Sequence, residues 1–145
     1  MEYIFSLDGE INSEEAKQLE EIKKGAQLID QRKLKDDEIA TGLGGYAGYW
    51  YDLLERDPVY EALKLSCPLL ILQGGRDYQV TLEDFQGWQQ GLASKTQVTF
   101  RLHPQLNHLF IAGGGKSTPE EYQRSGHIES EVINNLVSWI LSQSK

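Results

Sequence analysis

The stretch PLLILQGGRDYQV, Pro68 to Val80, decides how this chain folds. Leu69, Leu70, Ile71 and Leu72 form a continuous apolar run, the pattern of a strand covered on both faces in a parallel sheet. Gln73-Gly74-Gly75-Arg76-Asp77 ends it abruptly. Downstream, Thr81 with Asp84 three positions on signals a helix start, and Leu82, Phe85, Trp88 and Leu92 form its apolar face. Val98, Phe100 and Leu102 alternate as a second strand, stopped by His103-Pro104. A loop holding Asn107, His108 and Gly113 to Gly115 then leads to Thr118-Pro119-Glu120-Glu121, a helix start with proline at its first position. Ile128, Val132, Ile133, Leu136, Trp139 and Ile140 supply the stripe of a last helix. Strand, helix, strand and helix in this order predict a parallel α/β sheet with a right-handed crossover and flanking helices.

Upstream, the apolar residues Tyr3 to Leu7 end at the turn pair Asp8-Gly9. Asn12 with Glu15 reads as a capping box opening an amphipathic helix, whose stripe is Ala16, Leu19, Ile22, Ala26 and Ile29. From Asp36 to Leu65 glycines crowd around Tyr46, Tyr49, Trp50 and Tyr51, which predicts short helices joined by glycine-rich bends, with Pro58 opening another. The chain thus divides into a helical segment, residues 1–66, and a βαβα part, residues 67–145, with no repeat and no linker between them.

Composition bounds the function. The net charge of −8 and the absence of a basic patch argue against nucleic acid and against anionic membrane surfaces as partners. No apolar run approaches the roughly 18 residues of a spanning helix. The N-terminus has neither a basic region nor a long apolar core, so a cytoplasmic location is expected. A single cysteine, Cys67, excludes an internal disulfide framework. His103, His108 and His127 match no metal-ligand spacing, and neither a metal nor another cofactor is expected. Gly114-Gly115-Lys116-Ser117-Thr118 imitates the end of a phosphate-binding loop, but Phe110 stands where its first glycine belongs.

The informative pair is Asp77 and His108. Each lies just past the end of one of two successive strands, and such loops converge on one crevice in an open parallel sheet. A carboxylate there can fix the tautomer of an imidazole that takes a proton from a nucleophile. The spacing alone equally allows Asp77 to cap its own loop or pair with Arg76, and His108 to be a structural loop residue.

The same stretch resembles the seventh strand and acid turn of α/β-hydrolases. LHPQLNHLF, Leu102 to Phe110, resembles the eighth strand and histidine loop, and GHIESEVINNLVSWI the last helix. The likeness is greatest to serine esterases and peptidases of the dienelactone-hydrolase and prolyl-oligopeptidase branch. It implies that Asp77 and His108 are the acid and base of a Ser-Asp-His triad, and that residues 1–66 are a helical lid. Tyr46, Tyr49 and Trp50, with Tyr78 beside the acid, would then line the substrate pocket. The substrate class so implied is a small-molecule or peptide acyl compound: a carboxylic ester, a thioester or a peptide.

The chain departs from that family in one decisive respect. No G-x-S-x-G occurs among its 145 residues, so the strained turn that holds the nucleophile is missing. Loss of the nucleophile costs on the order of 10⁶ in turnover. An eight-stranded sheet with its helices and loops also needs roughly 200 residues. The expectation is a C-terminal part of a serine hydrolase, inactive by itself, whose exposed sheet edge is covered by a second copy or by the N-terminal half. The alternative is a non-catalytic α/β module for binding or assembly.

Overall fold

The computed structural model describes residues 1–143 and divides them into two units, one running from Met1 to Asp57 and the other beginning at Pro58. In the first unit, the short helix α1 (Glu2–Phe5) takes up the apolar N-terminal run and precedes α2 (Ser13–Asp30). The capping box forms as expected: Asn12 Oδ1 accepts from the Glu14 and Glu15 amides, and the Glu15 carboxylate accepts from the Asn12 amide at 2.9 Å. The buried stripe of α2 is Leu19, Gly25 and Ile29 with Ile22 half-buried, while Ala16 and Ala26 face solvent. Gly25 replaces the expected alanine because the chain crosses it closely. A Cβ there would stand 2.1 Å from the Thr41 carbonyl oxygen.

The core of this unit is Ile29, Ala40, Ala47 and Tyr51, with Leu34, Leu43 and Trp50 packed against it. Tyr51, on α3 (Ala47–Leu54), is therefore a packing residue. Its hydroxyl donates to the Leu34 carbonyl at 2.8 Å and accepts from the Leu34 amide at 3.1 Å. Both backbone groups of Leu34 are thus satisfied without secondary structure, which buried backbone requires.

The second unit contains α4 (Pro58–Lys64), β1 (Leu69–Gly74), α5 (Leu82–Gly91), β2 (Val98–His103), a five-residue 3-10 helix (Pro119–Gln123) and α6 (Ser130–Ser142). The strands pair in parallel, from Leu69 opposite Val98 to Gly74 opposite His103. Successive side chains of a strand point to opposite faces. The Phe100 ring meets Phe85 of α5 edge-on at 5.8 Å, and its neighbour Thr99 accepts a hydrogen bond from Trp139 of α6 at 3.2 Å. The two helices therefore cover opposite faces of the sheet. Leu69 to Leu72 are only half-buried beneath them, short of the full cover that the apolar run predicts. With only two strands among the described residues, each strand keeps an unpaired edge.

The apolar faces of the helices also differ from the expected ones. On α5, Phe85 and Leu92 are buried and Trp88 half-buried, but Leu82 in the first turn is exposed. On α6, Val132 is buried and Asn135 and Trp139 are half-buried toward the sheet. Ile133, Leu136, Val137, Ile140 and Leu141 form a second stripe at helical spacing, 37% to 64% exposed. The expected single stripe is thus two adjoining ones, and Ile128 and His127 precede the helix as exposed residues. Among the described residues, no helix is long and apolar enough to cross a membrane.

Candidate active site

Asp77 and His108 are built into two tight turns that leave the carboxyl ends of β1 and β2. The glycine pair closing β1 brings the turns together. A Cβ on Gly74 would meet the Leu106 and Asn107 carbonyl oxygens at 2.6 Å, and one on Gly75 the Pro104 Cα at 2.6 Å. Side chains at either position would hold the histidine loop away. In their absence, the Gly75 amide donates to the His103 carbonyl at 2.8 Å and the Arg76 amide to Leu106 at 2.9 Å.

Asp77 is held from both ends. Its Oδ1 accepts from the Gln79 and Val80 amides at 2.8 and 2.9 Å, so the acid does cap its own turn. The buried side chain of Gln73 donates to the Val80 carbonyl at 2.8 Å and draws the turn back onto the strand. The remaining oxygen, Oδ2, lies 2.8 Å from His108 Nδ1. A carboxylate can only accept, so Nδ1 carries a proton, and in the neutral imidazole Nε2 is the nitrogen with the lone pair. Asp77 is 6% exposed and His108 38%, which shields the acid and leaves the imidazole open to a reactant. The pair can orient a neutral imidazole and stabilise the imidazolium it becomes on taking a proton.

Arg76 does not pair with Asp77. Its guanidinium reaches Glu121, through Nη2 to Oε1, and donates to the Gly114 and Gly115 carbonyls at 3.3 and 2.9 Å. The Gly114 to Thr118 segment thus turns two carbonyls onto an arginine, where a phosphate cradle needs amides. Glu121 also accepts from Asn107 Nδ2 at 3.1 Å and Ser117 Oγ at 3.0 Å. Burial alone would raise the Glu121 carboxyl, but hydrogen bonds from Arg76, Asn107 and Ser117, with the arginine charge, hold it below the ordinary glutamate range. These residues escape sequence reasoning because Glu121 reads as a first-turn acid after Pro119.

The remaining candidates are spread over both units. Tyr78, beside the acid, is half-buried with its ring 6.0 Å from that of Tyr122. Tyr46 and Tyr49 are 59% exposed in the first unit. Trp50 meets Tyr49 edge-on at 5.3 Å and donates to the Gly44 carbonyl at 2.7 Å. His103 is buried at the end of β2, with its ring against Phe110 at 6.1 Å. Among the described residues, no three His, Cys, Asp or Glu side chains are grouped to hold a metal ion.

A parallel strand pair between helices, with an acid turn and a histidine loop leaving its carboxyl end, is consistent with part of an α/β-hydrolase fold. Over 126 residues the chain is 40% identical to Esterase EstD of Thermotoga maritima. That match takes in 87% of this chain but spans only 30% of the esterase's length. No protein-family model and no solved structure matches the chain.

Proposed function

We propose that this chain carries the acid and histidine of a serine-esterase active site of the α/β-hydrolase type. The 2.8 Å contact between His108 Nδ1 and Asp77 Oδ2 is the observation that carries this reading, and the likeness to an esterase supports it. His108 Nε2 would take the proton of a serine hydroxyl as that oxygen attacks an acyl carbonyl. The imidazolium, stabilised by Asp77, would return the proton to the leaving alcohol, and a water would release the acyl group by the same cycle. Carboxylic esters are the favoured substrate, with thioesters and peptides served by the same chemistry. Within the superfamily, the dienelactone-hydrolase and prolyl-oligopeptidase branch fits the quoted motifs. Tyr78, beside the acid, would border the acyl group.

The serine must come from a G-x-S-x-G segment outside these 145 residues, so the chain alone is inactive in this reading. The same lack of a nucleophile favours a second reading, a non-catalytic α/β binding or assembly module. A fluorophosphonate probe separates the two. In a protein joining this chain to a G-x-S-x-G segment, the esterase reading expects serine labelling that disappears in His108→Ala. Labelling that survives this substitution would remove His108 from the mechanism, and no labelling would favour the module.

Partners follow from the same reading. The unpaired edge of β1 and the outer stripe of α6 are surfaces that water covers poorly. In the isolated chain we propose that a second copy covers them.

A further inference from the structure

We propose that Glu121 is a positioning residue that sets His108 against Asp77, an inference resting on the esterase reading above. It is bound to the residue immediately before each member of the pair: Arg76 precedes Asp77, and Asn107 precedes His108. One carboxylate therefore ties the acid turn to the histidine loop.

The link to His108 runs through the amide of Asn107, which is completely buried. Its Oδ1 accepts from the Leu109 and Ile111 amides at 3.0 and 3.1 Å, and its backbone closes the same turn through Ile111 and Phe110. His108 lies inside this turn. A primary amide has one accepting and one donating end, and the two can exchange places by rotation. The Glu121 carboxylate accepts only, so it forces the Nδ2 end toward itself and leaves Oδ1 for the two amides. The Leu109 and Ile111 amides demand the oxygen end as well; Glu121 adds the acceptor without which the buried Nδ2 end would lose its carboxylate partner. The turn also carries Phe110 at φ 56°, a left-handed conformation costly for a bulky side chain and kept only where neighbours enforce it.

At the other end, the Arg76 guanidinium is fixed by the Gly114 and Gly115 carbonyls as well as by Glu121. Its side chain is 8% exposed. An arginine so buried needs an anionic partner. Glu121 supplies it and in doing so fixes the backbone that aims Asp77.

The test is imidazole proton NMR on this chain. In the unsubstituted protein the Nδ1 proton of His108, bonded to Asp77, should give a far-downfield signal that exchanges slowly with solvent. Glu121→Gln presents an amide NH2 to one of its former donors and should speed that exchange about tenfold, the scale of one lost charged hydrogen bond. Ala62→Gly, a buried position on α4 away from the network, lowers stability by helix propensity and should leave the exchange unchanged. Equal exchange in both variants would overturn the inference and reduce Glu121 to a stability residue. Absence of the signal in the unsubstituted chain would overturn the Asp77–His108 pairing itself. Should Glu121→Gln not fold, Glu121→Asp, too short to reach both Arg76 and Asn107, supplies the same readout and the same expected acceleration. Unchanged exchange there would overturn the inference equally.

Discussion

Asp77 Oδ2 and His108 Nδ1 lie 2.8 Å apart across 31 residues of chain, with the acid shielded and the imidazole open. Helix α5 and strand β2 fill that interval. Their packing, more than any local preference of either turn, decides whether the pair meets.

Asp77→Asn should test the pair most directly. An asparagine amide can donate to Nδ1 and move the imidazole proton to Nε2, where it blocks proton abstraction. By analogy with serine proteases, kcat on a p-nitrophenyl ester should fall about 10⁴-fold in the serine-bearing protein, with the circular dichroism spectrum unchanged. A loss below tenfold would remove Asp77 from catalysis.

Acid should loosen the loops through Glu121. Its carboxyl is held below the ordinary glutamate range in the folded chain, so the unfolded state binds its proton first as pH falls. The stabilisation is present above about pH 4.3, the ordinary glutamate value, and is lost as pH drops through the folded value. Urea midpoints should decline over this window in the unsubstituted chain, and less steeply in Glu121→Gln. Parallel pH profiles would contradict the assignment.

Glycine substitutions should separate close approach from helix propensity. Gly75→Ala places a methyl 2.6 Å from the Pro104 backbone and should cost about 1–3 kcal/mol. Gly87→Ala, in open space on α5, should stabilise by up to about 1 kcal/mol. Thermal melts decide both signs.

The α5 cap adjoins the acid turn. Thr81 Oγ1 accepts from the Asp84 amide while the Asp84 carboxylate accepts from the Thr81 amide at 2.7 Å. The bonds from the Thr81 amide and, at 2.8 Å, the Thr81 hydroxyl hold the Asp84 carboxyl below its ordinary range. Thr81→Ala should cost about 1 kcal/mol in chemical denaturation. A change below a few tenths would show that the cap contributes little.

Self-association should be measurable. Light scattering at micromolar concentration is expected to show a dimer or larger species. A charge in the middle of the outer α6 stripe, as in Val137→Glu, should shift it toward monomer. A monodisperse monomer before substitution would defeat this expectation.

The order strand, helix, strand, helix, both capping boxes and the positions of Asp77 and His108 just past the strand ends were legible in the residues; that the two side chains meet was not fixed by their spacing. Each of these rests on short-range chemistry: an apolar run, an acceptor three residues from its amide, turn residues that end a strand. Periodicity likewise located α6 but could not divide its apolar residues between faces, because Val132 and Ile133 are equally apolar and only Val132 turns to the sheet. Gly25 lies in the α2 stripe because Thr41 passes over it, a fact no local pattern carries. The Glu121 network belongs wholly to tertiary structure. Arg76 and Glu121 are 45 residues apart, and a charge pair at that separation has no signature in sequence. Sequence determined which elements form and where the chemically capable groups stand along the chain, since hydrophobic period and turn chemistry act within a few residues. Only the folded chain decided which partner each group meets, because that choice depends on how the sheet and its helices bring distant turns into one place.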